Sequence, residues 1–306
     1  MKVLVTGGAG FIGSNVVELL VHRGAKVYVW DDFSKGDFKN LRGIDCEIIC
    51  GDILDKSIFK KLPQVEAVIH EAAITDTTLK DNRLMMMVNY VGFENILSYC
   101  LKKKVKLIYA SSAGVYGNGS SPMKENQKLY PLNTYAYSKY LCDMKALKFI
   151  NKRGVPLIVG LRYFNVYGPK ETHKENSASM IYQLFLQMRN NCSPRVFKFG
   201  EQKRDFVYIK DVAFATVEAL KLNRGGILNI GSGRAGSFNE IISIINKVLG
   251  KNLKPEYFDN PFVGVYQNCT EADITLLRKH LGFTPQYSLE KGIEDYITSY
   301  LNVKES

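Results

Sequence analysis

Long apolar runs are missing from this sequence: no stretch approaches the roughly 18 consecutive apolar residues that a membrane-spanning helix needs. The start, MKVLVTGG, carries one lysine and runs straight into glycines, without the apolar core and small-residue cleavage site of a secretory leader. Both observations predict a cytoplasmic protein that does not engage a membrane. Paired cysteines are lacking too. The six, at 46, 50, 100, 142, 192 and 269, form no C-x-x-C unit, and a long chain in a reducing compartment needs no disulfide staples. They are expected to be buried free thiols. The four histidines (22, 70, 173, 280) show no H-x-x-x-H or similar ligand spacing, so no metal site is expected. Positive charge is plentiful, at a formal net +11, but it is not concentrated beyond short clusters such as KKK at 102–104. A nucleic-acid binder more often gathers basic residues on one element and interleaves aromatics. The charge instead reads as a basic surface or as attraction to anionic small molecules.

What is present is a regular alternation. KVLVTG (2–7), KVYVW (26–30), EIIC (47–50), EAVIH (66–70), KLIYASS (106–112) and PLIVGLRYF (156–164) are short β-rich runs. Between them, SNVVELLVHRG (14–24) and TYAYSKYLCDMKALKFINKRG (134–154) have helical spacing and stop at a glycine. Strands alternating with helices predict an α/β fold with a doubly wound parallel sheet. The rhythm fades after 166, where loops and mixed segments are expected. A length of 306 residues suggests about two domains at roughly 150 residues each. The division expected is a nucleotide-binding domain over 1–165, with a returning segment near 206–235, and a smaller interleaved substrate domain over 166–306. MMM at 85–87 is expected to pack in the core.

The strongest local signal is TGGAGFIGS (6–14), which follows a strand and opens a helix. Gly8, Gly10 and Gly13 fit G-x-G-x-x-G, and Gly7, Gly10 and Gly13 equally fit G-x-x-G-x-x-G. Glycines let such a turn reach positive φ and bring backbone N–H groups against a pyrophosphate at a helix N-terminus. The second strand then ends in Asp31-Asp32, and Asp31 lies eighteen residues beyond Gly13, where an acid can accept hydrogen bonds from an adenosine ribose. A plain tight turn would not explain that acid. The pair of acids favours NAD, while Lys35 and Lys39 soften the repulsion of a 2′-phosphate, so the residues leave NAD and NADP both open.

ASSAGVYG (110–117) closes a strand, and Tyr135-x-x-x-Lys139 opens a helix with both side chains on one face. Using a tyrosine as a base near neutrality means lowering a pKa of about 10 by about 3 units, roughly 4 kcal/mol. One ammonium ~4 Å away at an effective dielectric of ~20 supplies about that much. Ser112, at the strand end, suits a substrate alcohol. By chance alone Y-x-x-x-K is common on helices; its place after a nucleotide fingerprint and a strand-end serine makes it the expected reaction centre.

TGGAGFIG, the HEAA block (70–73), SSAGVYG, Y-x-x-x-K, RYFNVYGP (162–169), KRDFVYIKDV (203–212) and NIGSGRAGSF (229–238) together resemble the extended short-chain dehydrogenase/reductase family of nucleotide-sugar enzymes. The likeness runs over nearly the whole chain. Within that family HEAAITDTT (70–78), RYFNVYGPKETHK (162–174) and FGEQKRDFVY (199–208) are similar to the ADP-heptose epimerase group. The resemblance implies a Rossmann-like fold, a tightly bound and recycled NADP or NAD with NADP favoured, ADP-heptose or another nucleotide-diphosphate sugar as substrate, and a homo-oligomer, a pentamer in that group. It places Gly7, Gly10, Phe11, Ile12 and Gly13 at the pyrophosphate, Asp31, Asp32 and Lys39 at the adenosine ribose, and Ile53 at the adenine. Glu71, Ala72, Ala73, Ile74, Thr75, Asn89 and Val166 approach the cofactor, as do Tyr135, Lys139 and Lys174. On the substrate side it implies Ser112, Asn165, Asn176, Gln183, Phe197, Lys198, Phe199, Gly200, Arg204 and Tyr266; a guanidinium at 204 also suits a diphosphate on its own chemistry. Ser112, Tyr135, Lys139 and Lys174 are the expected catalytic set. Val265, Asn176 and Gln183 depart from the group's pattern.

Lys174 lies in KETHKENSAS (170–179), a charged stretch that by composition alone reads as a solvated turn. Two other functions compete: a UDP-hexose 4-epimerase, which has no need of a second base, and a non-catalytic dinucleotide sensor, which would lack the Tyr or the Lys. A 4,6-dehydratase would carry Asp-Glu where Ala113-Gly114 stand.

Overall fold

The computed structural model describes residues 1–259 and 269–302, leaving the side chain of Asn176 undescribed. In chain order the first half runs β1 (Lys2–Thr6), α1 (Phe11–His22), β2 (Lys26–Asp31), β3 (Glu47–Cys50), β4 (Ala67–His70), α2 (Asn82–Met86), α3 (Gly92–Lys103), β5 (Lys106–Ser112), α4 (Thr134–Leu147) and β6 (Ile158–Tyr163). The second half runs β7 (Asn165–Tyr167), α5 (Met180–Arg189), β8 (Arg195–Phe197), β9 (Lys203–Tyr208), α6 (Ile209–Glu218), β10 (Gly226–Ile230), β11 (Ala235–Ser237), α7 (Phe238–Leu249), β12 (Glu256–Phe258), α8 (Thr275–Leu281) and α9 (Leu289–Tyr296).

A seven-stranded sheet in the order β10-β6-β5-β4-β1-β2-β3 carries the first half, and each neighbouring pair is parallel. Parallel strands are covered on both faces, which is why they read as nearly unbroken apolar runs. Their period of two splits the core cleanly. Val3, Val5, Val27, Val29 and Ile69 point to one face, against Val16, Val17 and Leu20 of α1 and Val212 of α6. Leu4, Tyr28, Trp30, Val68 and Leu107 point to the other, against Phe93, Ile96 and Leu97 of α3 and Cys142 and Ala146 of α4. From β1 the chain steps outward to β2 and β3, then crosses back to β4 on the other side. The reversal opens a crevice at the carboxyl ends of β1 and β4, where folds of this kind bind ligands.

Beyond β6 a three-stranded sheet, β11-β9-β7, and a two-stranded one, β12-β8, stand beside the main sheet, while β10 returns to its edge. More helix is found here than the sequence rhythm predicts. In α7 the run FNEIISIINKVL buries Phe238, Ile241, Ile242, Ile244 and Ile245 on one stripe, so its amphipathic period, not a strand alternation, decides. No helix among the described residues is long and apolar enough to cross a membrane.

Three expectations are corrected. Helix α4 stops at Leu147 rather than near 154, because the chain breaks into turns there with Asn151 at φ 59° and Gly154 at φ 79°. Only Cys100 and Cys142 of the six free cysteines are buried; Cys50, Cys192 and Cys269 are exposed, lying on an edge strand and in loops. Of the three methionines only Met85 enters the core, and Met87 is 38% exposed on the opposite side of the helix.

Candidate active site

The glycine turn joins β1 to α1 over the crevice. Gly7 sits at φ 66°, and a β-carbon there would come 2.5 Å from the Ala72 nitrogen; one on Gly13 would come 2.1 Å from the Gly7 carbonyl oxygen. Neither position admits another residue. Gly10, at the N-cap of α1, offers no side chain to the first helical N–H groups, which leaves that end of the helix open to an anion. At the end of β2 the Asp31 carboxylate accepts from the N–H of Ala9 at 2.9 Å and of Phe33 at 2.9 Å. It thus ties the glycine turn to the next loop, and burial pushes its pKa up against the pull of those two bonds. Asp32 is exposed and accepts from Ser34. Lys39 and Lys35 are exposed nearby. Residues 33–38 line an open cleft of about 640 Å³ with His173 and Glu175. An uncapped helix N-terminus, a glycine cradle and an acid at the second strand end fit a dinucleotide.

Past β4, the backbone of Glu71 and Ala72 passes against Gly7. Thr6 Oγ1 and His70 Nδ1 are 2.7 Å apart, and burial, helped by the Lys139 charge, lowers the histidine pKa to about 3, so His70 is a neutral core group. The Glu71 carboxylate accepts from the Tyr163 hydroxyl at 2.7 Å, which lies 2.9 Å from Thr216 Oγ1. Burial raises Glu71 to about 7, against the opposing pull of Tyr163 and Lys139. Ala72 and Ala73 are partly buried and Thr75 is exposed. Asn89 is 1% exposed and spends its amide inside the protein: it accepts from Ile74 N–H at 2.8 Å and donates to Ile74 O and Ser138 Oγ. It braces the 71–75 loop against α4. Ile53 is buried under α3, where Gly92 leaves it room.

Helix α4 presents Tyr135 and Lys139 to the same crevice. Asn133 caps it by accepting from Ala136 N–H at 2.8 Å. Lys139 is 3% exposed; its ammonium donates to the Ala110 carbonyl at 2.9 Å and lies 6.0 Å from the Tyr135 ring centre. Ser112, last in β5, accepts from Gly114 N–H at 3.1 Å, and its own hydroxyl proton remains to be offered outward. One helical turn beyond Lys139, Asp143 pairs with Arg162 of β6 at 2.9 Å and accepts from Tyr109 at 3.0 Å, all fully buried. Arg162 continues to Tyr116, and Tyr116 to Asn229 of β10. This network fixes α4 against three strands. Arg162, Tyr116 and Asn229 each lay in a motif seen in the sequence, but their meeting with Asp143 of α4 was not visible there.

The stretch 170–179 is not a free turn. Lys170 pairs outward with Glu18 at 2.8 Å. Lys174, four residues on, is partly buried with its ammonium 5.5 Å from the ring centre of Phe11, the first residue of α1. Burial holds its pKa below the ordinary lysine value, against the raising effect of Glu171. Asn40 donates to the Ala9 carbonyl at 2.9 Å and meets His173 Nδ1 at 3.2 Å, docking the loop on the glycine turn. Neither Asn40 nor Glu171 was singled out from the sequence, because their significance lies in partners far along the chain.

On the other wall, Val166 and Asn165 lie on β7, paired with Val207 and Phe206. Asn165 is exposed and sits 3.5 Å from Thr270 Oγ1. Gln183, on α5, donates to Ala178 O. Phe197 packs edge-on against Phe258, and Phe199 is 64% exposed beside Tyr257. Lys198 pairs with Asp259, and Gly200 turns the chain at φ 70°. Arg204 is 6% exposed on β9 and donates to Lys203 O. Tyr266 and Val265 lie outside the described residues.

The sequence profile of the NAD dependent epimerase/dehydratase family matches residues 3–231. Among solved structures, ADP-L-glycero-D-manno-heptose-6-epimerase of Helicobacter pylori superposes with a TM-score of 0.92 at 42% identity, covering 99% of this chain and 96% of that one. UDP-glucose 4-epimerase of Thermotoga maritima, solved with UDP-glucose, gives 0.90 at 30% identity, covering 97% of each chain. UDP-glucuronic acid 4-epimerase of Bacillus cereus, solved with a fluorinated UDP-glucuronic acid and NAD, gives 0.88 at 30% identity, covering 98% and 99%.

Proposed function

The chain belongs to the NAD dependent epimerase/dehydratase family and is a nucleotide-sugar epimerase using a nicotinamide dinucleotide, and from that premise we propose that it inverts C6″ of ADP-D-glycero-D-manno-heptose to give the L-glycero epimer. On this reading it serves lipopolysaccharide core synthesis in the cytoplasm, as a homo-oligomer, a pentamer, with NADP the preferred cofactor. Bound at the glycine turn, the nicotinamide would supply a reversible hydride acceptor.

The protein's own groups handle the proton. Tyr135 takes it from the C6″ hydroxyl while Ser112 holds the same oxygen, and Lys139 keeps a positive charge beside the tyrosine from its anchor on Ala110. The resulting ketone must present its opposite face before reduction, which moves the oxygen to another side of the pocket. One tyrosine serves both positions poorly, so a second proton donor and acceptor is useful. The observation that carries the reading is Lys174: it is drawn out of solvent onto Phe11, at the carboxyl edge of the sheet, and its pKa is lowered toward the working range. Arg204, with residues 197–200, is proposed to hold the nucleotide diphosphate, and Asn165, Asn176, Gln183 and Tyr266 the rest of the substrate.

A UDP-hexose 4-epimerase is the second reading, favoured by the likeness to the Thermotoga maritima enzyme. Incubation with a panel of ADP- and UDP-sugars in D2O, followed by NMR, separates the two. Interconversion of ADP-heptose epimers without added reductant and without deuterium at C6″ is expected. Turnover of UDP-hexoses alone selects the 4-epimerase, and deuterium at C6″ rules out internal hydride return.

A further inference from the structure

We propose that Glu171 is a positioning residue for Lys174: one buried carboxylate that closes the loop carrying the lysine and supplies the negative charge its ammonium faces. The inference rests on the reading of Lys174 as the second acid–base group.

Glu171 is wholly buried, an uncommon place for an acid unless its oxygens are satisfied. One oxygen accepts from Gly168 N–H at 3.1 Å and from the Ser179 hydroxyl at 2.9 Å; the other accepts from Ser179 N–H at 2.6 Å. Gly168 precedes the loop and Ser179 caps α5 after it, so a single side chain staples both ends. Between the staples the backbone takes up positive φ at Lys170 (73°) and Glu175 (48°), which costs energy in residues other than glycine and needs such anchoring. A glutamine would not serve equally, because its NH2 group would face an N–H that now meets an oxygen.

Closing the loop does not by itself call for a charge. The charge matters because Lys174 follows one short turn on, its N–H donating to the Glu171 carbonyl at 3.0 Å, and each charge opposes the other's desolvation. Burial disfavours both ions, raising the acid and lowering the lysine, while their attraction opposes each shift. Tyr167 of β7, Tyr182 of α5 and Tyr296 of α9 also face Glu171, all neutral in the working range. His173 faces Lys174 and is itself turned toward Asp31 and Asp37, while Lys170 is held away on Glu18. Desolvation pushes Lys174 toward its neutral form. Glu171 is the counterweight that lets it gain and lose a proton.

The test is a titration of Lys174 in the cofactor-loaded enzyme, by NMR after reductive 13C-methylation, with the resonance assigned by its loss in Lys174→Met. Glu171→Gln is expected to move that titration to lower pH by at least about half a unit, and Glu171→Asp, which keeps the charge, to hold it within about 0.2 unit of the wild type. An unmoved titration in Glu171→Gln, or an equal shift in both variants, overturns the proposal. Should Glu171→Gln fail to fold, Ser179→Ala decides: it keeps the carboxylate but loosens the clamp. It should cost at least about fivefold in turnover, with cofactor content and the Lys174 titration unchanged. Wild-type turnover there sinks the positioning role. Full activity in Lys174→Met would instead reject the acid–base reading, leaving the effect of Glu171 on the titration standing.

Discussion

Two lysines reach the carboxyl edge of the sheet by different routes, and each has an acid beside it. Lys139 rides on α4, four residues after Tyr135. A capped helix sets its direction, the Ala110 carbonyl holds its ammonium, and the Asp143–Arg162 pair locks the helix to the sheet. Lys174 stands in a stretch without any period, in a loop that Glu171 ties to Ser179 and His173 docks on Asn40, with its ammonium over the Phe11 ring. Helical geometry places the first, so its partner is found by counting residues. Contacts from α1, the loop after β2 and the start of α5 place the second, so nothing near it in sequence announces it. The acids differ in their donors: each has a lysine opposing its burial, but Glu71 has one hydroxyl partner and rises to about 7, whereas Glu171 accepts three hydrogen bonds.

The sharpest test of this contrast is Lys174→Met, expected to lose about 10³-fold in epimerisation with fold, cofactor content and nucleotide binding intact. A loss of folding instead would make the loop lysine structural. Tyr135→Phe should cost at least about 100-fold in turnover while still binding cofactor, since positioned proton transfer contributes ~10²–10⁴-fold; an unchanged rate removes it from the mechanism. Lys139→Ala should lower the rate by about tenfold or more and also loosen the cofactor, because one ammonium serves both. If only its melting temperature moves, the Tyr–Lys pair is packing.

Glu71 gives a smaller, pH-shaped effect. Its folded pKa is raised above the unfolded value, so the folded state holds the proton more tightly and stability is lost as pH climbs from about 4.5 through about 7. Glu71→Gln should therefore flatten that decline, as read by urea unfolding at pH 4.5 and pH 8. A pH-independent difference between variant and wild type would remove Glu71 from the linkage. Smallest of all, Lys170→Met should change turnover less than about twofold, since an exposed ion pair is worth about 0–1 kcal/mol. Equal losses from Lys170→Met and Lys174→Met would erase the distinction between the two lysines of the loop.

Much of the first half was legible because its signals are local. A strand, a glycine turn and a helix in immediate succession leave the backbone few alternatives, and Gly7 and Gly13 have no room for a β-carbon. The second half was less legible. A returning segment near 206–235 was expected, but its partners, β6 for β10 and α1 for α6, lie at long separations that no window along the chain names. The sequence also reads acid or base without saying who faces it: Arg162 and Asp143 are ordinary charges until β6 and α4 meet.

By itself, then, the chain determined the parallel sheet, the dinucleotide turn with Asp31 at the second strand end, and the Tyr135–Lys139 face, because each depends on periodicity or on backbone geometry within a few residues. Only the tertiary structure decided that Asn89 braces a loop from within, that His70 stays neutral, and that Lys174 is drawn onto Phe11 while Lys170 pairs with Glu18. Those outcomes are set by desolvation and by charges brought close from distant segments, and neither quantity exists until the chain has folded.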